Sequence, residues 1–170
     1  MEYQFRKAQT SDADRIWEIL QDAIQKRKEE GSQQWQNGYP NPKAVARDID
    51  RNQGFVAEID GEIAAYCAIA INDEPAYVEI EGTWLTTGDF IVFHRAAIGN
   101  GFTGKGLANK LFSSIENYAL DNNIYSVKAD TNFDNEPMLY LFDKLGYQYC
   151  GEVYFKGSPR RAYEKVLDKR

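Results

Sequence analysis

Residues 89–108 run DFIVFHRAAIGNGFTGKGLA, and their reading decides the fold. The first ten suit a strand, the next eight hold four glycines, and Leu107, Ala108, Leu111, Phe112, Ile115 and Ala119 then recur on one face of a helix. A helix that begins in glycines presents unpaired N–H groups and the positive end of its dipole, and the missing side chains let an anion reach the backbone. Phosphate binding is the chemistry this turn suits.

Two nucleotide patterns fail on single residues. Gly99, Gly104 and Lys105 match the start of a P-loop, but Gly106 stands where a hydroxyl should hold Mg²⁺. Gly99, Gly101 and Gly104 have dinucleotide spacing, yet no acid follows at a strand end about 20 residues on, since Asp121 lies by the helix end. A turn that binds nothing rarely needs four glycines.

Toward the N-terminus, Tyr3–Arg6 reads as a strand. Thr10, Ser11 and Asp12 then cap a helix with Ala13, Ile16, Trp17, Leu20, Ala23 and Ile24 on one face, ending at Gly31. The loop SQQWQNGYPNP carries two large aromatics, Trp35 and Tyr39, and Asn41-Pro42 opens a short helix through Val45 and Ile49. FVAEID and EIAAYCAIAI form a hairpin turning at Asp60-Gly61. The alternation in 77–81 predicts a strand with Tyr77, Glu79 and Glu81 on one face. Beyond the glycine turn come a strand at 125–129, a helix at 134–145 stopped by Gly146, and strands near 147–156 and 161–167. With no linker or repeat, this predicts one domain over 1–170, of mixed α/β class.

Two blocks carry a family resemblance. Gly101-Phe102-Thr103-Gly104-Lys105-Gly106 is similar to the acyl-CoA pyrophosphate loop Q/R-x-x-G-x-G/A of the GCN5-related N-acetyltransferase (GNAT) family, departing at Gly101. Asn135 followed by Leu141-Phe142-Asp143-Lys144-Leu145-Gly146-Tyr147 resembles the family's second block, an Asn and then L-Y-E-K-L-G-F. The resemblance implies an acyl-CoA N-acyltransferase fold: a mixed, mostly antiparallel sheet flanked by helices and splayed between its fourth and fifth strands. It implies acetyl-CoA as acyl donor and no metal. The pantetheine arm would pair with the backbone of Ala96, Ala97 and Ile98. The pyrophosphate would sit on the amides of Phe102, Thr103, Gly104, Lys105, Gly106, Leu107 and Ala108, with Asn132 and Asn135 meeting the arm from the other side.

Moving an acetyl group to a primary amine needs a base, and His94, whose imidazole suits general-base work, shares strand parity with Ala96 and Ile98. Glu81 is the second candidate. The family's proton-donating tyrosine is replaced by Phe142; Tyr140 points to the opposite helix face, which leaves solvent, Tyr147 or Tyr149. Gln34, Trp35, Tyr39 and Trp84 are the expected acceptor-binding residues, aromatic faces suiting an ammonium group. The alternative is an acyl-CoA-binding sensor or interaction module without turnover.

Composition agrees. Twenty Lys+Arg against 26 Asp+Glu give a net charge of −6, which excludes a nonspecific nucleic-acid binder. The deficit sits in residues 1–98, with ten basic and seventeen acidic side chains against ten and nine thereafter, and this favours a cationic amine. Cys67 and Cys150 lie in apolar and aromatic runs without metal-ligand spacing. No apolar run approaches the roughly 20 residues of a membrane span, and the chain reads as cytoplasmic. The expected partner is a small-molecule amine, with no nucleic acid or membrane; a homodimer is left open.

Overall fold

The computed structural model describes residues 1–169. Its elements are β1 (Tyr3–Lys7), α1 (Ala13–Glu29), α2 (Pro42–Asp50), β2 (Gly54–Ile59), β3 (Glu62–Ile71), β4 (Glu81–Gly82), β5 (Ile91–Ile98), α3 (Leu107–Asp121), β6 (Ser126–Thr131), α4 (Glu136–Lys144), β7 (Gln148–Phe155) and β8 (Ser158–Val166). The strands form one eight-stranded sheet in the order β1-β2-β3-β5-β6-β8-β7-β4. The β1–β2, β2–β3, β4–β7, β6–β8 and β7–β8 pairs are antiparallel and β5–β6 is parallel. The chain divides into two compact units, Met1–Ile69 with His94–Ile115, and Ala70–Phe93 with the residues from Glu116 on.

In the first unit, Ile16, Ile19, Leu20 and Ala23 of α1 pack with Val45, Val56, Tyr66 and Ala97. A 3₁₀ turn at Thr10–Asp12 precedes the helix. There Asp12 accepts the Gln9 N–H at 2.7 Å and pairs with Arg6 at 2.8 Å, so the capping cluster is tied to β1. Asn41 caps α2 by accepting the Ala44 N–H at 2.9 Å, with Pro42 as the first helical residue. The β2–β3 turn falls at Asp60 and Gly61, both at positive φ (51° and 81°), as a two-residue hairpin turn of type I′ requires.

In the second unit, Ala70, Tyr77, Val92, Val153 and Ala162 form a core against Trp84, Phe90 and Phe155. On α4, Phe142 is 1% exposed and Tyr140 65% exposed, as the helix phase requires. The strand expected at 77–81 does not form. Pro75–Tyr77 is a 3₁₀ turn capped by Glu74, Tyr77 is buried with its hydroxyl on Asp130 at 2.6 Å, and Val78 is 84% exposed. Only Glu81–Gly82 remains extended, as β4.

β5 and β6, the strands before and after α3, form the parallel pair of the sheet. Their registered pairing covers only Ile91↔Val127 and Val92↔Lys128, after which β5 continues to Ile98.

Candidate active site

The glycine loop follows β5 without slack. The Gly99 N–H donates to the Ala64 carbonyl at 2.8 Å, and a Cβ at Gly99 would meet that carbonyl at 3.3 Å and Arg15 Nη2 at 3.2 Å. Gly101, Gly104 and Gly106 differ: each has positive φ (88°, 75° and 73°), and a Cβ on any of them meets no other protein atom within 4 Å. These glycines therefore serve backbone conformation and not packing. α3 begins at Leu107, the Lys110 N–H reaches the Gly106 carbonyl at 3.3 Å, and no acidic side chain stands in the first turn. The leading amides of a helix have no intrahelical acceptor, so Gly106, Leu107 and Ala108 form a surface that favours negative charge. Phe102, Lys105 and Leu107 also line a hollow of about 400 Å³ with Asp60 and Glu62, whose carboxylates disfavour phosphate there. The donor set fits the pyrophosphate of an acyl-CoA: backbone N–H groups, room above the glycines and a nearby lysine.

Within β5, His94, Arg95, Ala96 and Ile98 are half-buried and Ala97 is buried. The parity linking His94 to Ala96 and Ile98 does not hold across Arg95. That residue has φ 55°, a left-handed conformation that breaks the two-residue alternation of a strand. A non-glycine residue held there costs about 1–3 kcal/mol, so its surroundings must fix it. Arg95 Nε and Nη2 bind the two carboxylate oxygens of Asp48 at 2.9 and 2.6 Å, and Asp48 also accepts the Tyr66 hydroxyl at 2.6 Å. Arg95 Nη1 meets the Tyr39 hydroxyl. Burial, reinforced by Asp48, pushes the Tyr66 hydroxyl far above its ordinary pKa, so it remains a donor.

The aromatic loop is anchored elsewhere too. Trp35, at φ 64°, lies under the Arg27 guanidinium at 3.8 Å, and burial pushes Arg27 down to about 10. Trp35 packs on the first core, so it is a lid over α1 as well as a candidate acceptor wall. The Gln34 N–H donates to the Ser32 hydroxyl at 3.0 Å, and Tyr39 is 42% exposed.

The second unit holds the remaining candidates. Glu81 is exposed on β4, where the Tyr154 hydroxyl binds it and Glu152 at 3.0 Å each. Trp84 is committed to packing: its indole N–H donates to the Tyr77 carbonyl at 2.9 Å and the Lys128 ammonium sits 4.3 Å from its ring. Burial lowers the Lys128 pKa, opposed by Glu164. Asn135 caps α4 by accepting the Met138 N–H at 3.3 Å, and Asn132 donates to Asp134 at 2.6 Å. Phe142 stacks on Tyr163 at 4.5 Å. Burial raises Tyr147 well above its ordinary pKa, which makes it a poor proton donor, whereas Tyr149 is 47% exposed with Arg161 over its ring at 4.2 Å. Asp48, Tyr66 and Arg95 escaped the sequence reading because partners 47 and 18 residues apart leave no spacing signal.

Among the described residues no helix is long and apolar enough to cross a membrane, and no group of three or more His, Cys, Asp or Glu side chains could hold a metal. A GNAT acetyltransferase of known structure from Streptococcus agalactiae is 35% identical, with a TM-score of 0.90 over 98% of this chain and 96% of that one. The Salmonella typhimurium acetyltransferase yncA, determined with its cofactor acetyl-CoA, shares the fold at 16% identity and TM-score 0.69, over 100% and 96%. Streptothricin acetyltransferase of Escherichia coli is 24% identical over 110 residues, 64% of this chain and 62% of that protein, so less than two thirds of that relative is spanned. The family profile of GNAT acetyltransferases matches residues 14–147, and the chain belongs to that family.

Proposed function

We propose that this acetyltransferase moves an acetyl group from acetyl-CoA to a primary amine of a small molecule by direct attack in a ternary complex. The observation that carries this reading is the loop Gly101–Gly106 at the start of α3, whose left-handed glycines leave the leading amides of the helix open to an anion. Acetyl-CoA, when bound, supplies the activated acyl carbonyl and the thiolate leaving group. Phe102, Thr103, Gly104, Lys105, Gly106, Leu107 and Ala108 hold the pyrophosphate in this reading. The backbone of Ala96, Ala97 and Ile98 takes the pantetheine amides, pairing as an added strand would.

His94 takes the proton of the attacking amine. Tyr39 and Trp35, with Gln34, face the acceptor; Trp84 contributes through the packing of its own unit. With Phe142 in the family's tyrosine position, the leaving thiolate takes its proton from water or from the exposed Tyr149.

Thiol release with a panel of amines, including amino acids, polyamines, aminoglycosides and streptothricin, tests the reaction. One amine is expected to raise release well above hydrolysis; none doing so while acetyl-CoA binds would leave an acyl-CoA-binding module. His94→Ala should lower kcat by about 10²–10⁴ and alter the pH–rate profile, with acetyl-CoA affinity kept. An unaltered profile would take His94 out of the mechanism.

A further inference from the structure

We infer that Arg95 couples the cofactor-binding edge of β5 to the aromatic acceptor loop, with Asp48 as the positioning residue that sets the coupling. This rests on the reading above and adds communication between the two halves of the site.

Four residues form a chain from core to surface within the first unit. The Tyr66 hydroxyl donates to Asp48, Asp48 grips Arg95 through two hydrogen bonds, and Arg95 reaches the Tyr39 hydroxyl. The inner members are enclosed: the Asp48 side chain is 5% exposed and that of Arg95 13%, and Tyr66 is fully buried. Tyr39 is the solvent-facing end. Arg95 is also the left-handed residue that opens the stretch Ala96–Ile98. Its backbone angle and its side-chain grip are therefore one conformation. A relaxed φ at Arg95 would turn the amides of Ala96–Ile98 and swing the guanidinium off Asp48 and Tyr39 together.

The rest of the loop is pinned by other means. Gln36 Nε2 bonds the Ile24 and Gln34 carbonyls at 2.9 and 3.1 Å, and Asn41 Nδ2 holds the Gly38 carbonyl at 3.2 Å. The Tyr39 hydroxyl makes a side-chain hydrogen bond that joins this loop to β5. Acetyl-CoA on the β5 edge selects the left-handed state of Arg95 and so orders Tyr39. By linkage, an amine held at Tyr39 tightens acetyl-CoA by the same factor.

Hydrogen exchange with acetyl-CoA as the probe tests this without an identified acceptor. In the wild type, saturating acetyl-CoA should slow exchange at least fivefold both in 94–98 and in 33–39. Tyr39→Phe removes one half-exposed hydroxyl and should keep the slowing in 94–98 while losing it in 33–39. Asp48→Asn keeps the shape and removes the charge, and should weaken acetyl-CoA binding severalfold while shrinking the response in both segments. Equal slowing of 33–39 in the wild type and in Tyr39→Phe would overturn the inference alone. No slowing in 94–98 in the wild type would overturn the cofactor reading and the inference with it.

Discussion

Asp12 shows how one side chain serves two levels of structure. It accepts the Gln9 N–H at the entry to α1 and pairs with Arg6 of β1 at 2.8 Å, and Arg6 also reaches Glu58 of β2 at 3.1 Å. The hydrogen bond from Arg6 holds the Asp12 carboxyl below its ordinary range, against the opposing effect of burial. A depressed carboxylate stabilises the fold fully above its unfolded pKa of about 3.9, and that contribution disappears as pH falls through the folded value. Asp12→Asn should lower the urea midpoint at pH 7, and the gap to the wild type should narrow as pH is lowered past the ordinary carboxylate range. A constant gap across that range would show that the loss is packing and not charge. Some of this was legible in the sequence: Asp12 stood out as a capping residue because caps are local. The second partner of Arg6, Glu58 on β2, was not, since the β1–β2 pairing that brings it near is a tertiary event. Arg95 escaped for a related reason. Positive φ is expected at glycine, and in β5 a buried ion pair enforces it on an arginine.

At the scale of elements, the β4–β7 pair shows what two glycines permit. Gly82 and Gly151 face each other at φ 144° and 141°; a Cβ on Gly82 would meet the Cys150 carbonyl oxygen at 2.1 Å, and one on Gly151 the Glu81 carbonyl oxygen at 2.2 Å. Gly151→Ala should therefore separate β4 from β7, cost about 1–3 kcal/mol in denaturant unfolding, and speed amide exchange at Thr83, whose N–H donates to the Cys150 carbonyl. An unchanged unfolding midpoint would mean the strands shift at no cost. The same region is where period-two alternation misled. YVEIE alternates, but Pro75 begins a 3₁₀ turn and Tyr77 is drawn inward by Asp130 and Trp84, so capping and burial override the pattern. The amphipathic helices were legible because their apolar residues recur at helical spacing, and α2 also because Asn41 lies directly ahead of the turn it closes; Asn135 caps α4, a role that its place inside the helix expected at 134–145 did not suggest.

For the whole molecule, a net charge of −6 has to coexist with a polyanionic cofactor. In the proposed function, local backbone dipoles do the binding, and the glycine loop concentrates them at the start of α3, whose own first turn carries no acid. The loop was the most legible feature because its glycines are needed one by one, whereas Arg95, Asp48 and Tyr39, beside the proposed acceptor loop, are brought together by distant parts of the chain. The central claim is tested most directly by acetyl-CoA binding to the wild type and to Gly106→Glu, read as the shift in thermal unfolding. Gly106→Glu puts a charge and a strained φ where the phosphate would lie. The wild type should gain about 2.7 kcal/mol at 100 times Kd, and the variant, itself folded, should gain nothing at the same concentration. Equal gains in the two proteins would contradict the assignment of this loop.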